Sequence, residues 1–253
     1  MSNSREDLTR LAEEQAGLQF PADKLKKTIR SRTLSEYSSV FGMPNEWLKN
    51  HLTKLISSEE RAVFVDLGCG DEVALTEALR LADILGRNNL RAIGVDVLPP
   101  DPKAIFFAYR EYQPEFQIAD IDTFEFPEAA DIVTLSNVLF WTGDPLRALA
   151  NAAAQTKVGG VICAEALVRI NETSEQHKQE PLFQKRIAMH NGQFAGFQLL
   201  HKTNNWLDAV VLQKIEPLDT PEAVQEAWFG AVPQLQLRIP SCSNGFNYHY
   251  AFH

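Results

Sequence analysis

The feature that most limits the fold of this sequence is an alternation, from residue 61 onward, of short apolar runs with helical stretches. Runs such as "RAVFVDLG" and "LRAIGVDV" are rich in Val and Ile, and segments such as "VALTEALRLADILGR" lie between them with apolar residues at helical spacing. Continuous apolar runs between helices are typical of parallel strands that are covered on both faces. Right-handed crossovers then predict a doubly wound α/β sheet.

The alternation ends after residue 190. Two stretches, "GFQLLHKTNN" and "WLDAVVLQKIE", predict strands that are joined at Asn204 and Asn205, which are turn residues. We therefore expect a mostly parallel sheet that closes with an antiparallel hairpin at its edge.

The chain divides into three predicted parts. Residues 1–60 have helical patterns and no strand pattern, so they predict an N-terminal helical cap. Residues 61–216 form the predicted α/β domain. Residues 217–253 are rich in aromatic side chains, and we expect this C-terminal extension to complete a substrate lid or an interface.

Charge and cysteine usage narrow the function. The 253 residues carry 24 Lys and Arg against 33 Asp and Glu, a net charge of −9, which disfavours nucleic acid as a partner. The single basic cluster, Lys24–Arg32, is interpreted as the solvated face of a helix. Cys69, Cys163 and Cys242 fit neither a disulfide framework nor a zinc site, so no metal is expected. The polar start and the lack of a long apolar run predict a cytoplasmic protein that does not cross a membrane.

The stretch "VFVDLGCGDE" indicates where a ligand binds. An apolar strand ends at Asp66, and Gly68 and Gly70 then allow a ligand to lie against the backbone. A dinucleotide fingerprint would need a third glycine, and here Asp71 and Glu72 stand where a pyrophosphate would approach. Their charges favour a ligand that carries positive charge.

At these residues the sequence resembles the class I S-adenosylmethionine-dependent methyltransferases, whose first motif is a strand, an acid and then G-x-G-x-G. Glu72 stands in the place of the last glycine. This change matters little if its side chain turns outward, and it matters more if the side chain covers the methionine end of the cofactor. The resemblance implies that Asp96, after the second strand, accepts hydrogen bonds from the ribose hydroxyls and that Val97 contacts adenine. Asp120 and Ile121, after the third strand, match positions that contact the adenine edge.

The fourth predicted strand, "ADIVTLSNVLFW", resembles the family's motif near the sulfonium and the acceptor. The match covers about residues 61–215 and implies a seven-stranded, Rossmann-like methyltransferase fold with S-adenosylmethionine as the cofactor. The cofactor-binding residues implied by the resemblance are Asp66, Gly68, Gly70, Asp96, Val97, Asp120, Ile121, Ser136 and Asn137.

Each acid also has a purely structural interpretation. Asp66 and Asp96 could serve only as turn residues at the ends of strands. Asp120 and Asp122 both follow the third strand, and we expect Asp120 to face the ligand and Asp122 to be its solvated neighbour. Cys69 is interpreted as a small spacer rather than a nucleophile.

The acceptor is predicted to be a small or apolar molecule. Methyl transfer is an in-line displacement that depends mainly on alignment and exclusion of water, so no catalytic acid or base is assigned. The sequence "SNVLFW" stands where base-methylating members of the family have N/D-P-P-Y/F, which favours the small-molecule branch. The candidates for lining the acceptor pocket are Tyr37, Asn137, Phe140 and Trp141, followed by Trp47, Trp228 and Tyr248.

Three alternatives stay open. A noncatalytic cofactor-binding module or partner subunit is favoured by Glu72 and by the lack of an obvious base. A tRNA or protein methyltransferase is supported only by the basic cluster Lys24–Arg32, and an NAD-dependent dehydrogenase shares the acid of the second strand but lacks the third glycine. The sequence also leaves room for a homodimer.

Overall fold

A computed structural model describes most of the predicted α/β domain and parts of its flanks. The described residues are 32–58, 60–97, 100, 111–136, 138–139, 145–168, 193–202, 207–231, 238–241 and 247–250. Several features predicted from the sequence lie outside the described residues. They are the helices before residue 32, most of the basic cluster, Asn137, Phe140, Trp141, the Asn204–Asn205 turn and the side chains of Trp228 and Tyr248.

The described residues form two compact units. The first takes in the described residues up to Ser39 together with Met43–Phe124, and the second takes in Val40–Gly42 and the described residues from Glu125 onward. The three domains predicted from the sequence remain a prediction.

The first unit combines three helices with a small parallel sheet. Its elements are α1 (Leu34–Val40), α2 (Trp47–Ser57), β1 (Ala62–Leu67), α3 (Val73–Ile84), β2 (Leu90–Asp96) and β3 (Glu115–Ile118). The strand order is β3-β2-β1, and both pairings are parallel. All six residues of β1 are buried. A fully buried parallel strand is what its continuous apolar run predicts.

Helix α1 is fixed at its start by side chains. Thr33 and Glu36 form a capping box, because the Thr33 N–H donates to Glu36 Oε2 at 2.9 Å and the Glu36 N–H donates to Thr33 Oγ1 at 3.1 Å. The Leu34 N–H donates to Glu77 Oε2 of α3 at 2.8 Å. This last bond ties α1 to α3 within the first unit.

The second unit contains the remaining described strands and two helices. Its elements are β4 (Ala130–Leu135), α4 (Pro145–Ala154), β5 (Thr156–Val168), β6 (Gln193–Phe194), β7 (Phe197–Lys202), β8 (Leu207–Lys214), α5 (Pro221–Ala231), β9 (Arg238–Ser241) and β10 (Asn247–Tyr250). Strands β4 and β5 are parallel, whereas β8 pairs antiparallel with both β5 and β7.

The α/β fold class is confirmed. The seven expected strands are present, with β1, β2 and β3 in the first unit and β4, β5, β7 and β8 in the second. The predicted antiparallel hairpin is β7–β8. Within the described ranges the short strands β6, β9 and β10 are additional, and α5 begins where the sequence pattern had not been assigned. None of the helices in the described part of the chain is long and apolar enough to cross a bilayer.

Gly160 allows β4 and β5 to approach closely at their amino ends. A Cβ atom at this position would lie 2.8 Å from Thr156 Cγ2 and 3.0 Å from the carbonyl oxygens of Ala130 and Asp131. The register between the strands shifts at the same place, between Ala130 and Ile132. Two of the three close atoms belong to the backbone and cannot move aside by a change of rotamer.

We therefore expect Gly160→Ala to lower the free energy of unfolding by about 2 kcal/mol through overpacking. Val158→Thr is the matched control on the same strand, because Val158 is 56% exposed and the replacement keeps a β-branched side chain. Its effect should be within about 0.5 kcal/mol. Urea unfolding of both variants measures the difference, and equal losses would contradict the role given to Gly160.

Candidate cofactor site

The loop between β1 and α3 is shaped by its glycines. Gly68 and Gly70 have φ angles of 75° and 55°, in the left-handed region that favours glycine. The Gly68 N–H donates to the Val95 carbonyl oxygen at 2.7 Å, which holds the loop against the end of β2. The backbone after β1 is thus bent in the way that the motif predicts.

Asp66, near the end of β1, is 1% exposed. Its Oδ2 accepts a hydrogen bond from the Tyr37 hydroxyl of α1 at 2.8 Å. Burial, and next the Asp66 carboxylate, raise the pKa of Tyr37 well above its ordinary value, so the hydroxyl keeps the proton that it donates. The sequence predicted that Tyr37 lines an acceptor pocket, and this role stays a prediction.

Asp96 ends β2 beside the same loop. Its Oδ2 accepts a hydrogen bond from the Gly70 N–H at 3.0 Å. The parallel register places Asp66 opposite Gly94, so Asp66 and Asp96 lie two positions apart along neighbouring strands. The structure therefore brings both predicted acids and the glycine loop together at one edge of the sheet.

The turn after β3 holds Asp120 and Asp122 differently from the prediction. Asp120 is half-buried, and its Oδ1 accepts a hydrogen bond from the Asp122 N–H at 2.9 Å, which makes an Asx turn. Asp122 is buried, with 8% exposure, so the expectation that it is solvated is wrong. Ile121 is also buried, and Val97 is half-buried. The proposed contacts of Val97, Asp120 and Ile121 with adenine remain predictions.

In the second unit, Ser136 has a partner that the sequence analysis missed. Its hydroxyl donates to Glu165 Oε2 at 2.7 Å, and both side chains are buried. The β4–β5 register pairs Leu135 with Ala164, so Ser136 and Glu165 follow as neighbours on the two strands. A single acid within the apolar run "VICAEALV" was the available signal.

Glu72 does not turn outward. Its φ angle is 60°, it is 5% exposed, and within the described residues its Oε1 has no hydrogen-bond partner. A Cβ atom on Gly94 would lie 3.1 Å from this Oε1 and 2.8 Å from Cys69 Sγ, so the carboxyl group packs against β2. Burial, followed by the charges of Asp66 and Asp71, raises the pKa of Glu72 to about 7.

The electrostatics of the loop fit a positively charged ligand. Burial, followed by the carboxylates of Asp96, Asp66 and Glu72, raises the pKa of Cys69 well above its ordinary value, so its side chain stays a neutral thiol. Three acids around a glycine loop would repel a pyrophosphate. The carboxylate oxygens at the strand ends and Glu72 Oε1 are hydrogen-bond acceptors. They suit a ligand that has cationic groups and hydroxyl groups, and S-adenosylmethionine has both.

A comparison with protein families matches part of the chain. A family model described as "Methyltransferase domain" matches residues 65–164, which include β1 from Val65 and extend into β5. Residues 65–164 therefore resemble a methyltransferase domain, as the motifs indicate. No curated protein matches the sequence.

Several solved structures are similar to this chain. The citrinin polyketide synthase CMeT domain is 16% identical, with 68% of this chain and 52% of that chain covered and a TM-score of 0.45. The N-methyltransferase NodS from Bradyrhizobium japonicum, in complex with S-adenosylhomocysteine, is 13% identical, with 72% and 98% covered and a TM-score of 0.41. A chain from the complex of a Haloferax volcanii methyltransferase activator with a putative methyltransferase is 17% identical, with 83% and 98% covered and a TM-score of 0.42. This chain spans about half the length of the polyketide synthase chain.

The buried Tyr37–Asp66 bond can be tested against an exposed bond of the same kind. Tyr37→Phe removes a donor from a buried carboxylate, and we expect it to lower the free energy of unfolding by about 2 kcal/mol. The control is Tyr112→Phe, because the Tyr112 hydroxyl donates to Asp83 Oδ2 at the same 2.8 Å distance but at an exposed position. Urea unfolding should show no shift of midpoint for the control. Equal shifts would mean that burial does not strengthen the Tyr37 bond.

Proposed function

We propose that this protein is a class I S-adenosylmethionine-dependent methyltransferase, which transfers a methyl group in line to a small or apolar acceptor. The observation that carries the donor side is the convergence of Asp66 and Asp96 on the Gly68–Gly70 loop. The acceptor side is supported by the apolar sequence "SNVLFW" after β4, in which Leu139 is fully buried, and by the net charge of −9. An acidic protein with an apolar acceptor segment favours a small molecule over nucleic acid.

The donor would be held by residues of the first unit. Asp96 is the proposed acceptor for the ribose hydroxyls, and the Gly70 N–H orients its carboxylate through the 3.0 Å bond. Asp66 is proposed to favour the cationic end of the donor through its charge, with the Tyr37 hydroxyl fixing its orientation. Asp120 and Ile121 are proposed to contact the adenine edge.

The chain's own work in the reaction is alignment and exclusion of water. S-adenosylmethionine, when bound, supplies an electrophilic methyl group on a good leaving group. The buried β1 and the Tyr37–Asp66 bond provide a rigid wall for the donor, which favours an in-line approach of the acceptor. We propose that Ser136 and Asn137, with Phe140 and Trp141, line the acceptor side, and that residues 1–60 and 217–253 complete it as a lid.

Asp96→Asn tests the donor assignment. It removes a charged acceptor, and we expect the dissociation constant for S-adenosylmethionine to rise by about tenfold or more. Asp83→Asn is the control, because Asp83 is an exposed carboxyl group on α3 outside the loop. Isothermal titration calorimetry measures both constants. An unchanged constant in Asp96→Asn would remove Asp96 from the proposed site.

The acceptor class can be tested with a donor that carries a labelled methyl group. The protein is incubated with this donor and with a cell extract separated into small-molecule, tRNA and protein fractions. We expect the label to enter the small-molecule fraction and to partition into organic solvent. Transfer to tRNA that weakens steeply with salt, or transfer to protein, would contradict the small-acceptor proposal.

A further inference from the structure

Glu72 is a buried acid in the glycine loop to which the proposed function gives no role. It occupies the position where the methyltransferase motif has its last glycine, and its backbone has the left-handed angles that glycine adopts readily. A residue with a side chain is strained in this conformation. The buried carboxyl group has an oxygen with no hydrogen-bond partner among the described residues, which adds an electrostatic cost. The left-handed backbone also occurs at Glu46, but at Glu72 it coincides with a buried, unpaired carboxyl oxygen among the described residues, and this combination is the starting point of the inference.

The side chain is directed into the site rather than away from it. Its Oε1 packs beside Gly94, which lies opposite Asp66 in the β1–β2 register. The absence of a side chain at Gly94 creates the space for this carboxyl group. Glu72 is therefore beside the strand ends that carry the two predicted donor-binding acids.

The charged and titratable groups around Glu72 are mostly acidic. Asp66 on β1 and Asp71 in the loop act on Glu72 directly. Cys69 faces it from the loop, and Asp96 at the end of β2 acts on the same thiol. Tyr37 of α1 is bonded to Asp66, and Arg32 is the cation that acts on Tyr37. Glu77 of α3 is turned to the Leu34 N–H. In the described part of the chain, Glu72 itself makes no ion pair with a basic side chain.

We propose that Glu72 is a charge-sensing residue of the donor site, which carries a proton in the free protein and releases it to solvent when the positively charged donor binds. The raised pKa of about 7 supports this exchange, because burial and the neighbouring carboxylates favour the neutral form until a positive charge arrives. The proposal rests on the donor site described above and deepens it.

The exchange would make the site selective for charge. S-adenosylmethionine carries a sulfonium, whereas the thioether product S-adenosylhomocysteine lacks that positive charge. Ionised Glu72 is stabilised more by the donor than by the product. Product affinity should therefore depend less on pH than donor affinity, and product should be displaced by fresh donor more readily above neutral pH.

Calorimetry of the unmodified protein tests the proton exchange. Titrations in two buffers with different ionisation enthalpies count the protons that are released on binding. With a free-protein pKa of about 7, donor affinity should rise by about tenfold between about pH 6 and about pH 8 and then level off. Proton release with S-adenosylhomocysteine should be smaller. Donor affinity that is independent of pH, with no proton release, would overturn the proposal.

Two replacements assign the proton to Glu72. Glu72→Gln keeps the size of the side chain and cannot ionise, and Glu72→Gly restores the residue that the left-handed backbone favours. In both variants the proton release and the rise of affinity with pH should be lost. Asp83→Asn is the control, because Asp83 is an exposed carboxyl group on α3 outside the loop, and this variant should keep both. Proton release that persists in the Glu72 variants would overturn the assignment.

Unfolding without donor gives an independent reading of Glu72. A carboxyl group whose pKa is higher in the folded than in the unfolded protein stabilises the fold at low pH, and this contribution is lost as the pH rises from about 4.5 to about 7. In Glu72→Gln this part of the pH dependence should be absent. If the unmodified protein binds neither donor nor product at any pH, the donor site itself is wrong. Binding without proton exchange would overturn only the role of Glu72.

Discussion

The parallel pairing of β1 with β2 is the constraint on which the rest of the site depends. It carries Asp66 and Asp96 to the same edge of the sheet and leaves the glycine loop between them. The Gly68 N–H bonds to β2 through the Val95 carbonyl, and the Gly70 N–H bonds to Asp96, so the loop is fixed by the second strand as much as by the first. A slip of one strand by one residue would place the two acids on opposite faces of the sheet.

The candidate site brings several carboxyl groups together where they are shielded from water, and hydrogen bonds lower the free-energy cost of burying their charge. The Tyr37 hydroxyl supplies a donor to Asp66, and a backbone N–H supplies one to Asp96. Glu72 is the exception, because its Oε1 has no such partner among the described residues. The arrangement is suited to a ligand that brings positive charge, and this agrees with the match of residues 65–164 to a methyltransferase domain.

Much of the fold and the position of the site could be predicted from local patterns. The buried run of β1, the loop glycines and the acids at the ends of β1 and β2 are each visible within a few residues of sequence. Helix α5 also had a local signal that was missed, which is a threonine N-cap followed by proline at the first helical position. Thr220 precedes Pro221, and the Thr220 Oγ1 accepts a hydrogen bond from the Ala223 N–H.

The parts that could not be predicted depend on contacts distant in sequence or on turn geometry. Tyr37 reaches Asp66 across 29 positions, and Ser136 reaches Glu165 across 29, so no local pattern connects them. The burial of Asp122 follows from an Asx turn made by Asp120. The inward direction of Glu72 depends on the space at Gly94, on another strand.

A crystal structure of the protein with S-adenosylhomocysteine is the most direct test of the central claim. We predict that the ligand lies over the Gly68–Gly70 loop, with its ribose hydroxyls within hydrogen-bonding distance of Asp96 and its amino-acid end on the Asp66 side. A ligand bound elsewhere, with Asp66 and Asp96 making no contribution to its pocket, would contradict the account.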